Sequence, residues 1–385
     1  MINPNKRIWQ ASEIWKSFDF SLPFSAFLKN HFKQNKKYGK RDRAEISHVL
    51  YSYLRIGFNS KSLDFEKAAQ IGLLLSDSTP EITLQELETP KNWLSYTLAE
   101  KVTWVEAKFE LDFYNDFFES SHELSNGVIL TDYAQKILAQ SPVFIRVLRN
   151  GNHVISALKQ AEFDFEEIDQ VSIKLKADSK LHLLPKNILR DIYVQDLASQ
   201  LTIEYLTPTD SETWWDACCG AGGKSILLKS VNPEIDITGT DIRKSILFNY
   251  EQRLKQHGFK PKTFVADLSK KPFEHRQAFD GVVIDAPCSG SGTWGRSPDG
   301  ILRTSQLDIE KFVARQKAIC QNAVKSLRPG GKLTYITCSI FKAENENITQ
   351  FIADELKLKL IKQGIIHSAI HNSDYLFAAQ FILEK

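Results

Sequence analysis

Two cysteines stand where apolar runs give way to polar loops. Cys288 ends Val282-Val283-Ile284-Asp285-Ala286-Pro287-Cys288, and Cys338 ends Leu333-Thr334-Tyr335-Ile336-Thr337-Cys338. In each case a buried strand would deliver its last residues to a cleft. Two such thiols beside a carboxylate suit the methylation of a pyrimidine ring carbon. The C5 carbon of cytosine is a poor nucleophile, but a thiolate that adds to C6 makes C5 enamine-like and able to attack a sulfonium methyl group. The C5 proton must then leave and the thiol must be eliminated, which a second polar group near the first assists. A carboxylic acid facing the base edge, as Asp285 would be, can hold N3 and N4 and stabilise the adduct. The nucleophilic thiol needs a lowered pKa, which loops and helix N-termini at strand ends can provide. Taken singly, a cysteine is more often a small buried apolar residue, and Cys320, on the apolar face of a helix, is read that way.

A second cluster precedes these loops. Asp216-Ala217-Cys218-Cys219-Gly220-Ala221-Gly222-Gly223-Lys224 follows an apolar strand and opens a helix. Its glycines permit a sharp turn and let backbone N–H groups approach a ligand. An acidic residue about 20 positions on should hold ribose hydroxyls, and Asp241 is so placed. The dinucleotide pattern G-x-G-x-x-G fails, because Ser225 stands where the third glycine belongs. That failure, with Asp241 and the next acidic strand end at Asp267, favours S-adenosylmethionine (AdoMet) over a nicotinamide cofactor. The alternative is a tight strand–helix turn with no ligand.

The elements that must position these residues follow from hydrophobic periodicity. Residues 1–126 read as helical: Phe24, Phe27, Leu28 and Phe32 recur at helical spacing, as do Ile46, Val49, Leu50, Tyr53 and Leu54, with Lys36–Arg43 as a basic connector. Residues 127–205 form a small α+β unit, with strands at Val143–Leu148, Val171–Leu175 and Leu181–Leu184, a helix at Val154–Ala161, and a further helix starting at Tyr193. In residues 206–385 strands at Thr213–Cys218, Ile235–Asp241, Thr263–Asp267, Gly281–Asp285 and Lys332–Thr337 alternate with helices, notably Lys244–His257 and Leu307–Leu327, the last stopped by an Arg328–Gly331 turn. The fold class is therefore α/β, a doubly wound, mainly parallel sheet preceded by a small α+β unit and an all-helical N-terminal domain. Ligands bind such sheets at the carboxyl ends of the strands, where all these motifs fall.

Composition narrows the partners. The chain has 385 residues and a net charge of +2, but Lys29, Lys33, Lys36, Lys37, Lys40, Arg41, Arg43 and Arg55 are opposed only by Asp42 and Glu45 in the same stretch. A phosphate backbone would be attracted to such a patch; the plainer reading is a solvated helical face. Five cysteines, an odd number mostly in site loops, argue for reduced thiols in a cytoplasmic protein rather than a disulfide framework. Paired C-x-x-C zinc spacing is missing, so no metal is expected. Neither a signal peptide nor a membrane span is expected. A monomer is the expected state.

On these residues the chain resembles the RsmB/NOP2/Sun-domain family of RNA 5-methylcytosine methyltransferases. The motifs are Asp216–Lys224, Asp241, Asp267, Asp285-Ala-Pro-Cys-Ser-Gly-x-Gly292 and Thr337-Cys-Ser-Ile-x-x-x-Glu344-Asn-Glu346. They cover residues 206–385 strongly and 143–199 more loosely. The resemblance implies a Rossmann-like AdoMet-dependent fold, Cys338 as nucleophile on C6 and Cys288 assisting release. It also implies that Cys218, Cys219, Gly220, Ala221, Gly222, Gly223, Lys224, Asp241, Asp267 and Asp285 line the cofactor and base sites. Lys40-Arg41-Asp42-Arg43 and the apolar positions after it resemble the helical NusB-like domain fused to some bacterial members, which implies ribosomal RNA as substrate, with tRNA as the alternative. The Asp374–Phe381 stretch resembles the family's closing strand, so RNA recognition is expected to rest on the N-terminal part. Two departures stand out: Gly220-Ala221 replaces the usual Ala-Pro of the cofactor loop, and Arg190-Asp-Ile-Tyr precedes Val194-Gln195-Asp196 where a glycine is common. Two rivals remain: an RNA-binding ribosome-assembly factor whose methyltransferase fold is a scaffold, and a DNA cytosine methyltransferase, in which the Pro-Cys thiol would be the nucleophile.

Overall fold

The computed structural model describes residues 4–76, 81–119, 123–274 and 278–384. They form two compact units. The first comprises residues 1–122, 128–141 and 293–306, and the second residues 123–127, 142–292 and 307–385.

The first unit is helical. Helix Phe24–Gln34 buries Phe24, Leu28 and Phe32, and helix Lys40–Arg55 buries Ile46, Val49, Leu50, Tyr53 and Leu54, the stripes expected of an amphipathic period. Trp15 packs on Tyr53 at 4.8 Å between ring centroids, and Tyr53 stacks on Phe65 at 4.5 Å. The basic connector is shorter than its sequence suggests. The helix already begins at Lys40, because the Asp42 carboxylate turns back to accept the Gly39 N–H at 2.9 Å. Arg7 pairs with both Asp42 and Glu45. The acids of the basic stretch are thus occupied, and Lys29, Lys33, Lys36, Lys37, Lys40 and Arg41 remain exposed. Segment 293–306 follows directly on the Cys288 loop in sequence yet folds with this helical unit. Its buried Asp299 accepts the Phe24 N–H at 3.0 Å, supplying the cap that Pro23 lacks.

The second unit holds two sheets. Strands β1 (Val143–Val147), β2 (Phe165–Glu167), β3 (Ser172–Leu175) and β4 (Ile192–Val194) make an antiparallel sheet in the order β2-β3-β1-β4. Leu181–Leu183 is a single 3₁₀ turn rather than the expected strand; apolar residues spaced this closely fit so tight a turn as well as they fit a strand. Tyr193 belongs to β4, and the helix after it starts only at Leu197, capped by Asp196, whose carboxylate accepts the Ala198 N–H at 2.9 Å.

The larger sheet contains β5 (Thr213–Asp216), β6 (Asp236–Asp241), β7 (Thr263–Val265), β8 (Phe279–Asp285), β9 (Leu327–Thr337), β10 (Leu358–Ile366) and β11 (Leu376–Leu383), in the order β10-β11-β9-β8-β5-β6-β7. Strands β9, β8, β5, β6 and β7 run parallel, and β11 and β10 add an antiparallel edge. Side chains alternate between the two faces as the pleat dictates. Trp215, Val282, Ile284 and Tyr335 pack with Ile319, Cys320 and Ala323 of helix Gln306–Val324, while Trp214, Val283 and Ile336 pack with Leu227 and Leu228 of helix Gly223–Val231. Cys320 is a core residue, as its position suggested. The Arg328–Gly331 stretch is not the turn that ends the long helix. That helix stops at Val324, and residues 328–331 form a bulge inside β9, so that Phe279 faces Leu327 but Gly281 faces Lys332. Gly330, at φ +78°, takes the left-handed conformation the bulge requires.

Strand order reverses at β5, with β6 and β7 on one side and β8 and β9 on the other. A crevice must open at the carboxyl ends there.

Candidate active site

Strand β5 ends at Asp216, and the chain turns through Ala217–Gly222 into helix Gly223–Val231. Gly222, at φ +94°, makes the turn possible; a Cβ there would meet Leu254 at 3.0 Å and Tyr250 at 3.1 Å, so the loop lies hard against helix Lys244–Gln256. The Gly220 N–H donates to the Asp241 carboxylate at 3.2 Å, tying the loop to the end of β6. Asp241 also accepts the Arg243 backbone N–H at 2.8 Å and that residue's guanidinium. Asp267, just past β7, accepts the Ser269 N–H and hydroxyl at 3.1 and 2.6 Å, and the hydroxyl bond above all holds its pKa below the usual carboxylate value.

A cavity of about 640 Å³ opens over these strand ends, the size of a small-molecule site. Of the residues singled out from sequence, Cys218, Asp241, Asp267, Asp285 and Cys288 line it. Cys219 does not: its side chain is buried against Ile226, Leu247 and Tyr250, so only its backbone faces the loop. Lys224 is buried beneath Asp285 and donates to that carboxylate at 3.1 Å and to Ser199 Oγ at 2.9 Å. Sequence reading misses Ile242, Arg243, Leu268 and Arg315, which also line the cavity. It misses Ser199 and Gln195 too. Gln195 Nε2 donates to Ser199 Oγ at 3.1 Å and to Gly223 O at 3.3 Å, so the linker braces the lysine.

The two cysteine loops converge. Cys288 Sγ and Cys338 Sγ lie 3.4 Å apart, although the residues are 50 positions apart in sequence. Strands β8 and β9 are parallel neighbours, with Asp285 beside Ile336, so their carboxyl ends deliver both loops to one place. The hydrogen bond with Cys338, reinforced by burial and by the charges on Cys338 and Glu344, pushes the Cys288 thiol well above its ordinary pKa. Burial does the same to Cys218, Cys219 and Cys320. These four cysteines are therefore held as neutral thiols.

Asp216, at the foot of the cofactor loop, is buried with its pKa raised to about 7 by desolvation. Ser225 Oγ donates to one of its oxygens at 2.7 Å, and the other has no partner. Because the folded-state value exceeds the unfolded one of 3.8, the native state binds more protons between those values. Stability from this group is therefore complete below pH 3.8 and lost as pH rises through about 7. Asp216→Asn should flatten that decline, with a gain of roughly a few kcal/mol above neutrality, read from urea midpoints of wild type and variant across the acid-to-neutral range.

A family model described as 16S rRNA methyltransferase RsmB/F matches residues 203–380. Among curated proteins, the chain is 31% identical over 236 residues to ribosomal RNA small subunit methyltransferase B of Shewanella oneidensis, covering 59% of this chain and 55% of that protein. It is 31% identical over 219 residues to the protein of the same name in Klebsiella pneumoniae, covering 55% and 51%. The chain thus spans about half the length of the curated relatives it matches. Among solved structures, PH0851 superposes with a TM-score of 0.69 at 21% identity, covering 100% of this chain and 99% of that one. NSun6 from Pyrococcus horikoshii with SFG superposes with a TM-score of 0.57 at 18% identity, covering 66% and 94%. At these identities the structural likeness establishes the Rossmann-like methyltransferase fold.

Proposed function

We propose, from the match of residues 203–380 to the RsmB/F family model, that this chain is a member of the RsmB/NOP2/Sun family that methylates cytosine C5 in small-subunit ribosomal RNA, with AdoMet as methyl donor. The observation that carries the reading is the 3.4 Å approach of Cys288 and Cys338 at the rim of a cavity bordered by Asp241, Asp267 and Asp285.

The cavity suits AdoMet in size and donors: Asp241 and Asp267 stand at successive strand ends, and Cys218 and Ile242 offer apolar wall. When bound, AdoMet supplies an electrophilic methyl group. Cys338, as the thiolate, adds to C6 of the base, and C5 takes the methyl group. Asp285, fixed from below by Lys224, holds the base edge. Elimination then sends the C5 proton to water and returns the C6–S electron pair to Cys338. Cys288, kept protonated, donates its S–H to that departing thiolate.

The helical unit is the proposed RNA-holding part, through the exposed Lys29, Lys33, Lys36, Lys37, Lys40 and Arg41. The three-part division into residues 1–126, 127–205 and 206–385 is likewise proposed as a division of labour, with the four-stranded sheet presenting RNA. Among the described residues no helix is long and apolar enough to cross a membrane, and no group of three or more His, Cys, Asp or Glu could hold a metal ion. The target cytosine must leave its stack, which costs least in a loop or single strand.

The test uses purified protein, methyl-labelled AdoMet, and separated rRNA, small subunits and tRNA from cells lacking the enzyme. Label in 5-methylcytidine from 16S rRNA or the small subunit is expected. Label only in tRNA would overturn the substrate, and no label in any pool despite AdoMet binding would overturn the reading in favour of a scaffold.

A further inference from the structure

Behind the two thiols lies a carboxylate that the chemistry above does not use. Glu344 is fully buried, and no cation pairs with it among the described residues. Its hydrogen bonds come instead from the two cysteine loops and the helix behind them. Oε1 accepts the Ser289 N–H at 2.9 Å and Gln316 Nε2 at 3.0 Å. Oε2 accepts the Ser289 and Ser339 hydroxyls, each at 2.6 Å. Ser289 follows Cys288 and Ser339 follows Cys338, so one carboxylate grips both loops one residue past each sulfur. Gln316, also fully buried, donates in addition to Pro287 O at 3.0 Å, and Tyr335 Oη fixes the Glu344 carbonyl at 2.7 Å.

A buried carboxylate without a cation is costly unless its acceptor sites are filled. Here they are filled by groups whose positions set where the thiols stand. The loops also touch directly, the Gly292 N–H donating to Cys338 O at 2.9 Å and the Ile340 N–H to Ser291 Oγ at 2.9 Å, but Glu344 holds the residue next to each sulfur, and the two sulfurs must meet the same edge of one base in succession.

We propose that Glu344 is a positioning residue, a clamp that holds the Cys288 and Cys338 loops in register so that the two thiols act on one base. The assignment rests on the methyltransferase reading for its catalytic consequence but not for its geometry. Glu344→Gln keeps the size and replaces one acceptor with an NH₂ that must face a donor. Should that variant not fold, Ser289→Ala combined with Ser339→Ala removes two donors and leaves the carboxylate. Folding is checked by thermal melting and AdoMet binding, both expected to stay near wild type.

Two readouts distinguish a clamp from general support. In RNA methylation, kcat should fall about 100-fold, the penalty for misplaced reacting groups, while the KM for RNA stays within about threefold. In a redox titration without RNA, the Cys288 and Cys338 thiols give two electrons and two protons to oxidised glutathione, forming the Cys288–Cys338 disulfide and two reduced glutathiones. The effective concentration of the thiol pair so measured should fall about tenfold in the variant. Folded variants with wild-type kcat and wild-type effective concentration would overturn the clamp. If the wild-type protein forms the disulfide, the variant forms it less readily and neither methylates RNA, the clamp stands and the methylation reading falls.

Discussion

Replacing Cys338 with alanine is expected to abolish RNA methylation, lowering kcat at least about 10⁴-fold, as loss of a covalent nucleophile does elsewhere. Nothing near Cys338 can substitute for it. Cys288 is closest, at 3.4 Å, but its thiol is held protonated, and a thiol is a far weaker nucleophile than a thiolate. Cys218, on the cavity wall, is likewise pushed up by desolvation. Cys338 is not among the residues lining the cofactor cavity, so AdoMet affinity should remain within about threefold of wild type, a change of well under about 1 kcal/mol. Calorimetric titration of AdoMet beside the labelling assay separates the two effects. A variant that binds AdoMet normally and still forms 5-methylcytidine at a tenth of the wild-type rate would exclude Cys338 as the nucleophile.

The sites legible in the sequence are those where one residue type at the end of an apolar run leaves few alternatives. The carboxyl end of a parallel strand points to the crevice, so the strand pattern by itself assigns Asp241, Asp285 and Cys288 to it, and all three line the cavity. Where the chain turns sharply the inference fails. Cys218 and Cys219 are adjacent and look alike, yet one lines the cavity and the other enters the core against Tyr250. A one-residue difference in a tight glycine loop decides this. Long-range pairs are also out of reach. Lys224 and Asp285 are 61 residues apart and Glu344 and Ser289 are 55 apart; neither pairing follows from local pattern. Strand β10 escapes a reading by pattern although Leu358, Lys359 and Leu360 begin an alternation. It is an edge strand with mostly exposed side chains, and edge strands carry the weakest apolar signal. The departure of residues 293–306 into the helical unit has no local signature either. Asp299 and Ile301 look like ordinary helix residues until the unfilled cap at Phe24 is known.

Cys288→Ser should leave the protein covalently attached to its RNA. If Cys338 adds to C6 and Cys288 assists only its departure, the variant can attack and transfer the methyl group but releases product slowly. A serine oxygen reaches less far than sulfur and its hydroxyl is a weaker acid than a thiol, so the departing Cys338 thiolate loses its nearest S–H donor. Loss of such assistance costs about 10²–10⁴-fold, enough to make release rate-limiting and the adduct the accumulating species. A complex that survives denaturing electrophoresis, carries labelled methyl and disappears in Cys288→Ser combined with Cys338→Ala is therefore expected. The result discriminates between the two loops as sources of the nucleophile. Were Cys288 the attacking residue, as in DNA cytosine methyltransferases, Cys288→Ser would give no adduct and Cys338→Ser would be the variant that traps. The high thiol pKa of Cys288, set first by its hydrogen bond with Cys338 and then by burial, argues for the former order. The same environment makes Cys288 a poor nucleophile and keeps its proton in place beside Cys338, which is the asymmetry a two-thiol mechanism needs.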